Sequence, residues 1–348
     1  MATGAWPTLQ DVAAREGPDS KPLFLAEMLS QWNGILDDAP YVEANEMTGH
    51  VVGFRDSIPG GSWRTYNAGV GYSKSTSGKA RIGLGTLAAY SQVDQDLASD
   101  SGDVRAFRES EDIAFMEGLG QTWAEALMYG NVTTNAAQFN GLSYYYDTVS
   151  TATAKNAANV IDADGVGSSN SSIWLIGWNE GTFYCVFPRA GAAGLHHEDK
   201  GDTVPAYDSL GNRFEAYTSY FRMRGGLVPQ DWRNGVRICN IDTTAAGLAG
   251  PNAADLFTLL GKAMMMPPAL GSRQSGITQT DAPRDRSVGV RAVIYCNRTV
   301  RYWMDVQSMR DRNVLLRIDD YAGKPVMGFR DIPIKIVDQL LNTEGRVT

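Results

Sequence analysis

Apolar residues recur at steps close to four through 103–129: Phe107, Phe115, Leu119, Trp123 and Leu127, with Ala114 and Ala126 on or near the same face. This is the stripe of an α-helix, and at ~1.5 Å per residue it predicts a rod of about 40 Å. Asp103, Glu109, Glu111 and Asp112 crowd its first half, where carboxylates favour the positive end of the helix dipole, and Gly130-Asn131 supplies a stop. Earlier in the chain the spacing predicts two shorter helical pieces, Leu9 to Glu16 and Pro22 to Leu36, separated by Gly17-Pro18-Asp19. Leu25, Leu29 and Trp32 fall at i, i+4 and i+7 on the second piece, a narrow stripe that must lie on something else.

Elsewhere the period is closer to two. Val51 to Lys79 is rich in Gly, Ser, Thr and aromatics, alternates at Ser62-Trp63-Arg64-Thr65-Tyr66, and carries turn signals at Pro59-Gly60-Gly61 and Ser77-Gly78. It predicts a long two-stranded excursion with a polar tip holding Lys74 and Lys79. Such a hairpin is marginal alone in water and needs another surface to rest on. Ala80 to Tyr90, Ser172 to Trp178, Phe183 to Phe187, Phe214 to Met223, Val236 to Asp242, Val288 to Cys296 and Val300 to Met304 read as further strands. Asp255 to Met266 reads as a helix. A closing strand, turn and strand series runs through Val314 to Ile318, Gly323 to Phe329 and Ile332 to Val337. The mixture predicts an α+β fold.

Composition narrows the function classes. The chain has 348 residues, 43% hydrophobic and 20% charged, which fits a folded protein with sizeable cores. A net charge of −8 disfavours binding nucleic acid by bulk attraction. Cys185, Cys239 and Cys296 are odd in number, far apart and outside any C-x-x-C arrangement, so neither a disulfide framework nor a structural zinc is indicated, and a reducing compartment fits. The amino terminus lacks the basic and apolar regions of a signal peptide, and no apolar run approaches the ~20 residues of a membrane span.

Candidate chemistry is sparse. His196-His197-Glu198-Asp199 could suggest a metal, but adjacent residues face opposite ways on a strand, and a solvated loop is the simpler reading. Cys185 lies in an apolar strand, which suits a buried, inert thiol better than a nucleophile. Asp94 with Asp96, and Asp162 with Asp164, could imitate the paired carboxylates of glycoside chemistry. Arg301, Arg310, Arg312 and Arg317 are balanced by Asp305, Asp311, Asp319 and Asp320, which suggests ion pairing rather than nucleic-acid readout. No catalytic residue, cofactor site or metal site is assigned.

The order of arm, excursion, long helix, mixed region and closing strands resembles the major capsid proteins of tailed bacteriophages, of the Hong Kong 97-like fold. Its most telling parts are Phe115 to Asn131 running into Phe139-Asn140-Gly141-Leu142, a "GN…F.GL" turn, and the closing Gly323-Lys324-Pro325-Val326 with Asp331-Ile332-Pro333-Ile334. The resemblance implies an N-terminal arm at 1–45, an extended loop at 46–85, and a peripheral domain at 86–147 with its spine helix at 103–129. It further implies an axial domain at 148–300 and a return to the peripheral domain at 301–348. The implied function is self-assembly into hexamers and pentamers of an icosahedral shell around double-stranded DNA, enclosed without sequence-specific binding. The implied partners are further copies of itself, a separate scaffolding protein, a portal and, as an optional addition, a decoration protein, with no membrane. The shell would be assembled in the host cytoplasm and end in the virion. Leu25, Leu29, Trp32, Trp63, Tyr66, Lys74 and Lys79 are the candidate intersubunit contacts. An encapsulin-like cargo shell and a carbohydrate-active enzyme are the alternatives.

Overall fold

The computed structural model describes residues 31, 33–100, 102–208, 210–244, 248, 254–268, 290–310, 316–321, 324–330 and 332–348. The helices are α1 (Ile35–Asp38), α2 (Gln95–Asp100), α3 (Val104–Tyr129), α4 (Leu142–Tyr145), α5 (Leu256–Met265) and α6 (Arg298–Arg310). The strands up to the long helix are β1 (Tyr41–Glu43), β2 (Gly49–Ser57), β3 (Thr76–Gly83) and β4 (Gly85–Asp94). After it come β5 (Val160–Asp162), β6 (Asn170–Trp178), β7 (Phe183–Phe187), β8 (Leu195–Asp199), β9 (Val204–Tyr207), β10 (Arg213–Pro229) and β11 (Gly235–Asp242). The last four are β12 (Arg291–Cys296), β13 (Leu316–Tyr321), β14 (Lys324–Phe329) and β15 (Ile332–Ile336).

The long helix predicted over 103–129 is α3, and Asp103 starts it as an N-cap, its carboxylate accepting from the amides of Arg105 and Ala106. Its C-terminal half carries Leu119, Trp123, Ala124, Leu127 and Met128 into the interior, the last four of them in the larger core. The stop at Gly130 is enforced by close approach. A Cβ there would sit 2.4 Å from the Phe139 carbonyl oxygen, and one at Gly141 2.5 Å from that of Ala126. The Gly141 amide donates to the Gly130 carbonyl, the Val132 amide donates to Asn140 Oδ1, and Phe139 packs on Trp123 with ring centroids 5.0 Å apart. Gly130, Phe139, Asn140 and Gly141 of the "GN…F.GL" pattern thus each have a part in clasping the helix end.

All nine residues of β6 are buried, and β6 sits between β11 and β12 in antiparallel pairing with both. Its two faces serve different cores: Trp174, Ile176 and Trp178 look towards α3, while Ile173 and Leu175 pack with α5 and the buried Val300 and Met304 of α6. The closing strands join the same sheet, since β15 runs parallel to β12 and β14 pairs with both β13 and β15. The last residues then pack against the end of α3. Glu344 pairs with Arg237 at 2.9 Å, both buried, and accepts a hydrogen bond from Tyr129.

β10 is long enough to belong to two neighbourhoods. Its last residues, Gly226 to Pro229, pair with β7, and the stretch before them pairs with β4 on one side and with β8 and β9 on the other. The first half of α3 lies on this sheet: Phe115 stacks on Phe221, Asp112 accepts from the Ser219 hydroxyl, and Arg108 pairs with Asp199. Two expected elements differ in the part of the chain after α3. Val300 to Met304 is part of helix α6, because Val300 and Met304, four apart, are both buried while Tyr302 between them is exposed. The His196-His197 stretch is a strand rather than a loop, paired to β10 with every residue exposed.

Candidate assembly surfaces

β2 and β3 form a separate two-stranded antiparallel sheet, paired from Gly49 opposite Gly83 to Ser57 opposite Thr76 with a shift between Arg55 and Ser57. The Ser57 and Thr76 hydroxyls, 2.7 Å apart, close its far end. The root is well anchored. Val52 packs with Ala44, Tyr184, Val186 and Val228, supported by Ile82 and Leu84. Asn45 exchanges hydrogen bonds with the backbone of Val51, and Arg81 pairs with Glu46 at 2.8 Å and reaches the Thr48 hydroxyl. His50 Nε2 donates to the Tyr184 hydroxyl, which donates on to Gln230, while His50 Nδ1 accepts from the Asn45 amide. That pattern requires a neutral imidazole, and partial burial holds the His50 pKa below its ordinary value.

Beyond Ser57 the chain leaves the sheet. Residues 58–75 form no strand, so the alternation at Ser62 to Tyr66 does not mark one. Pro59-Gly60-Gly61, Gly69 and Gly71 break any regular run, and Asn67 takes a positive φ of 63° in a turn closed by Ala68 N–H donating to Thr65. The tip is chemically unlike an ordinary loop. Trp63, Tyr66 and Tyr72 have relative exposures of 104%, 97% and 108%, so no other part of the described chain covers them, and Ile58 and Val70 are exposed beside them. Lys74 lies in this tip, whereas Lys79, expected there too, is in β3 opposite Gly53.

Leu25, Leu29 and Trp32 lie outside the described residues. The segment after them, around α1, is fixed firmly to the body. The side chain of Asp38, fully buried, accepts from Lys335 at 2.7 Å, Arg291 at 2.6 Å and the Tyr295 hydroxyl at 2.9 Å. Nothing in the sequence pattern singled out Asp38, because its three partners lie far along the chain and meet it only in the fold.

The chemical candidates have structural work instead. Among the described residues no group of three His, Cys, Asp or Glu side chains could hold a metal. His197 stacks on Phe221 at 4.8 Å and lies 3.8 Å from Asp112. Cys185 is buried, and burial pushes its thiol up to about 12, which keeps it protonated and unreactive. Asp94 accepts from the Asp96 amide, and Asp162 accepts from the Asp164 amide and from Asn240, so each pair shapes a turn. In the arginine-rich stretch, Arg301 donates to the Ile334 carbonyl, while the side chains of Arg310, Arg312 and Arg317 lie outside the described residues.

Residues 17–348 match the family model "Major capsid protein GP7". The chain belongs to this family of phage major capsid proteins. A cryo-EM structure of bacteriophage epsilon15 agrees with a TM-score of 0.76 at 30% identity, over 100% of this chain and 99% of that one. The bacteriophage JBD30 capsid follows with a TM-score of 0.47 and 11% identity, over 91% and 93% of the two chains. The SrpI encapsulin of Synechococcus elongatus PCC 7942 gives 0.41 and 8%, over 67% and 96%. At such scores these two bear no weight on function. A search of curated proteins gave no match. The major capsid protein has the Hong Kong 97-like α+β fold, in which assembly into hexamers and pentamers is characteristic, and it is a shell component of the virion rather than an enzyme. Both alternatives, the cargo shell and the carbohydrate-active enzyme, give way to this assignment.

Proposed function

We propose that this capsid protein builds its lattice by laying the extended loop, 46–85, over an adjacent subunit, with Trp63 and Tyr66 as apolar anchors and Lys74 and Lys79 as polar contacts. The observation that carries the reading is the full exposure of Trp63, Tyr66 and Tyr72 on a tip whose root is rigidly held. Aromatic side chains bury roughly 150–250 Å² each when covered, so three on one tip provide a concentrated association surface. The arm, 1–45, with Leu25, Leu29 and Trp32, is a second such contact. Its described end is fixed to the body by Asp38, and the apolar stripe in its sequence needs a surface. Each subunit then holds several neighbours, and modest contacts multiply into a stable shell.

In this reading 86–147 forms the peripheral domain, 148–300 the axial domain, and 301–348 the return, supported by the packing of Glu344 on Tyr129 at the end of α3. Double-stranded DNA is enclosed without sequence-specific contacts, in keeping with the net charge of −8. A separate scaffolding protein, a portal and an optional decoration protein complete the particle, which assembles in the host cytoplasm. The test is electron microscopy of particles formed by the wild type and by Trp63→Ala/Tyr66→Ala, with thermal melting of the subunit alongside. Loss of closed particles with unchanged melting supports the reading. Normal particle yield from the variant refutes it.

A further inference from the structure

A groove of about 230 Å³ runs between α1 and the middle of α3, lined by Gly34, Leu36, Asp37, Glu117, Gly120 and Gln121 among others. Two glycines of α3 leave room beside it. A Cβ at Gly118 or Gly120 would meet nothing within 4 Å, so packing within the subunit does not require glycine at either position. Glycine is the poorest helix former after proline, and two of them weaken the middle of this 26-residue helix. The charges lining the groove are both negative. Asp37 is exposed and has no partner among the described residues. Glu117 uses Oε1 to accept from the Gln31 amide and the Gln121 side chain, and among the described residues no donor reaches Oε2. Lys335, which lies against Gly34, is held by Asp38 at 2.7 Å and does not neutralise them. Next to the groove is an apolar shelf. Ile113 and Met116, four residues before Glu117 and Gly120, are exposed on the same face of α3.

A volume of about 230 Å³ is below the roughly 300–1,000 Å³ of small-molecule sites, and exposed carboxylates alone hold a free cation weakly in water. A long side chain delivered by a larger partner meets neither limit, because the shelf adds buried apolar area. We propose that this groove docks a basic amphipathic helix of another protein, with one Lys or Arg side chain set against Asp37 and Glu117 and the apolar residues of that helix on Ile113 and Met116. The methylenes of such a side chain have Leu36 to lie on, and its charged head has the two carboxylates. The chain's own arm is the competing occupant, since Gln31 also lines the groove. Charge disfavours it: residues 22–32 carry Glu27 and no basic side chain.

Fluorescence anisotropy tests the site, with the full-length unassembled subunit titrated into a labelled helical peptide that bears leucine and lysine on one face and alanine elsewhere. The peptide is expected to bind, and the same peptide with glutamate in place of lysine is not. Asp37→Asn/Glu117→Gln should weaken binding about tenfold, while Asp202→Asn, which alters an exposed carboxylate in another part of the chain, leaves it unchanged. Gly120→Leu should abolish binding by filling the groove, yet melt at or above the wild-type temperature, because leucine is the better helix former and meets open space there. Absence of binding to the wild type, equal binding of the glutamate peptide, or equal weakening by Asp202→Asn, the mark of bulk charge, overturns the proposal. So does unchanged binding by Gly120→Leu. Tighter binding by Leu25→Ala/Leu29→Ala would place the chain's own arm in the groove, and binding that weakens as subunit concentration rises would place a second copy there; either result overturns it as well.

Discussion

β6 and the loop tip are opposite extremes of one chain. Every residue of β6 is buried between neighbouring strands and two cores, whereas the aromatics of 58–75 are wholly exposed on a segment without strand or helix. The central sheet is specified by contacts within the subunit. Among the described residues nothing covers the aromatics of the tip, and in the proposed reading a surface elsewhere does. The contrast teaches that stability and assembly are encoded in different places, so substitutions in the two regions should separate the two properties.

The largest effects belong to the interior. Trp123→Ala, which removes an indole packed on Phe139 and hydrogen-bonded to the Tyr41 hydroxyl, is expected to cost about 3–5 kcal/mol and to leave little soluble subunit, as read by denaturant unfolding. Glu344→Ala leaves the buried Arg237 without its carboxylate and is expected to cost a similar ~3–5 kcal/mol, read by the same unfolding curves. A wild-type midpoint for either variant would show that these contacts do not hold the subunit together. Trp63→Ala should behave in the reverse way, with subunit stability within ~0.5 kcal/mol of wild type because the side chain is fully exposed there, and with particle yield lost.

The spine helix and the central strands were readable because their apolar spacing is dictated by packing within the subunit, and Asp103 and Gly130 mark the helix ends by local chemistry. The misread segments share another cause. Val300 to Met304 is a short window with a β-branched residue and aromatics, and its helical character shows only over the thirteen residues of α6. Ser62 to Tyr66 alternates like a strand, but among the described residues it has no partner strand, and alternation without a partner does not make a sheet. β8 is not legible in the sequence, because an edge strand with every residue exposed has no apolar alternation to read. Among the candidate contacts, Trp63 and Tyr66 were legible as large aromatics in a Gly-rich excursion. The Asp38 and Glu344 anchors were not, since their partners converge only in three dimensions.

A smaller effect sharpens the boundary between the two regions at the loop root. Burial lowers the His50 pKa below its unfolded value of about 6.5, so folding favours the neutral ring. The unfolded chain therefore binds the extra proton first, and the stability that His50 contributes is complete above about pH 6.5 and falls as pH drops below it. Protection factors at 45–52, taken relative to the intrinsic exchange rate at each pH, should fall between about pH 7 and pH 5, and His50→Gln should flatten that dependence. An unchanged pH profile in the variant would remove His50 as its cause. Smallest of all, Lys74→Ala and Lys79→Ala should lower particle stability by ~0.2–1 kcal/mol each, an effect that fades as salt is raised. Light scattering during salt-dependent disassembly checks it, and a loss that is insensitive to salt would rule out a charge contact.

The central claim, that the loop is completed by a neighbour, is tested most directly by a cryo-EM reconstruction of closed particles in which 58–75 can be traced. The account predicts Trp63 and Tyr66 of one subunit buried against the next. A tip lying in solvent, or folded back on its own subunit, would contradict it.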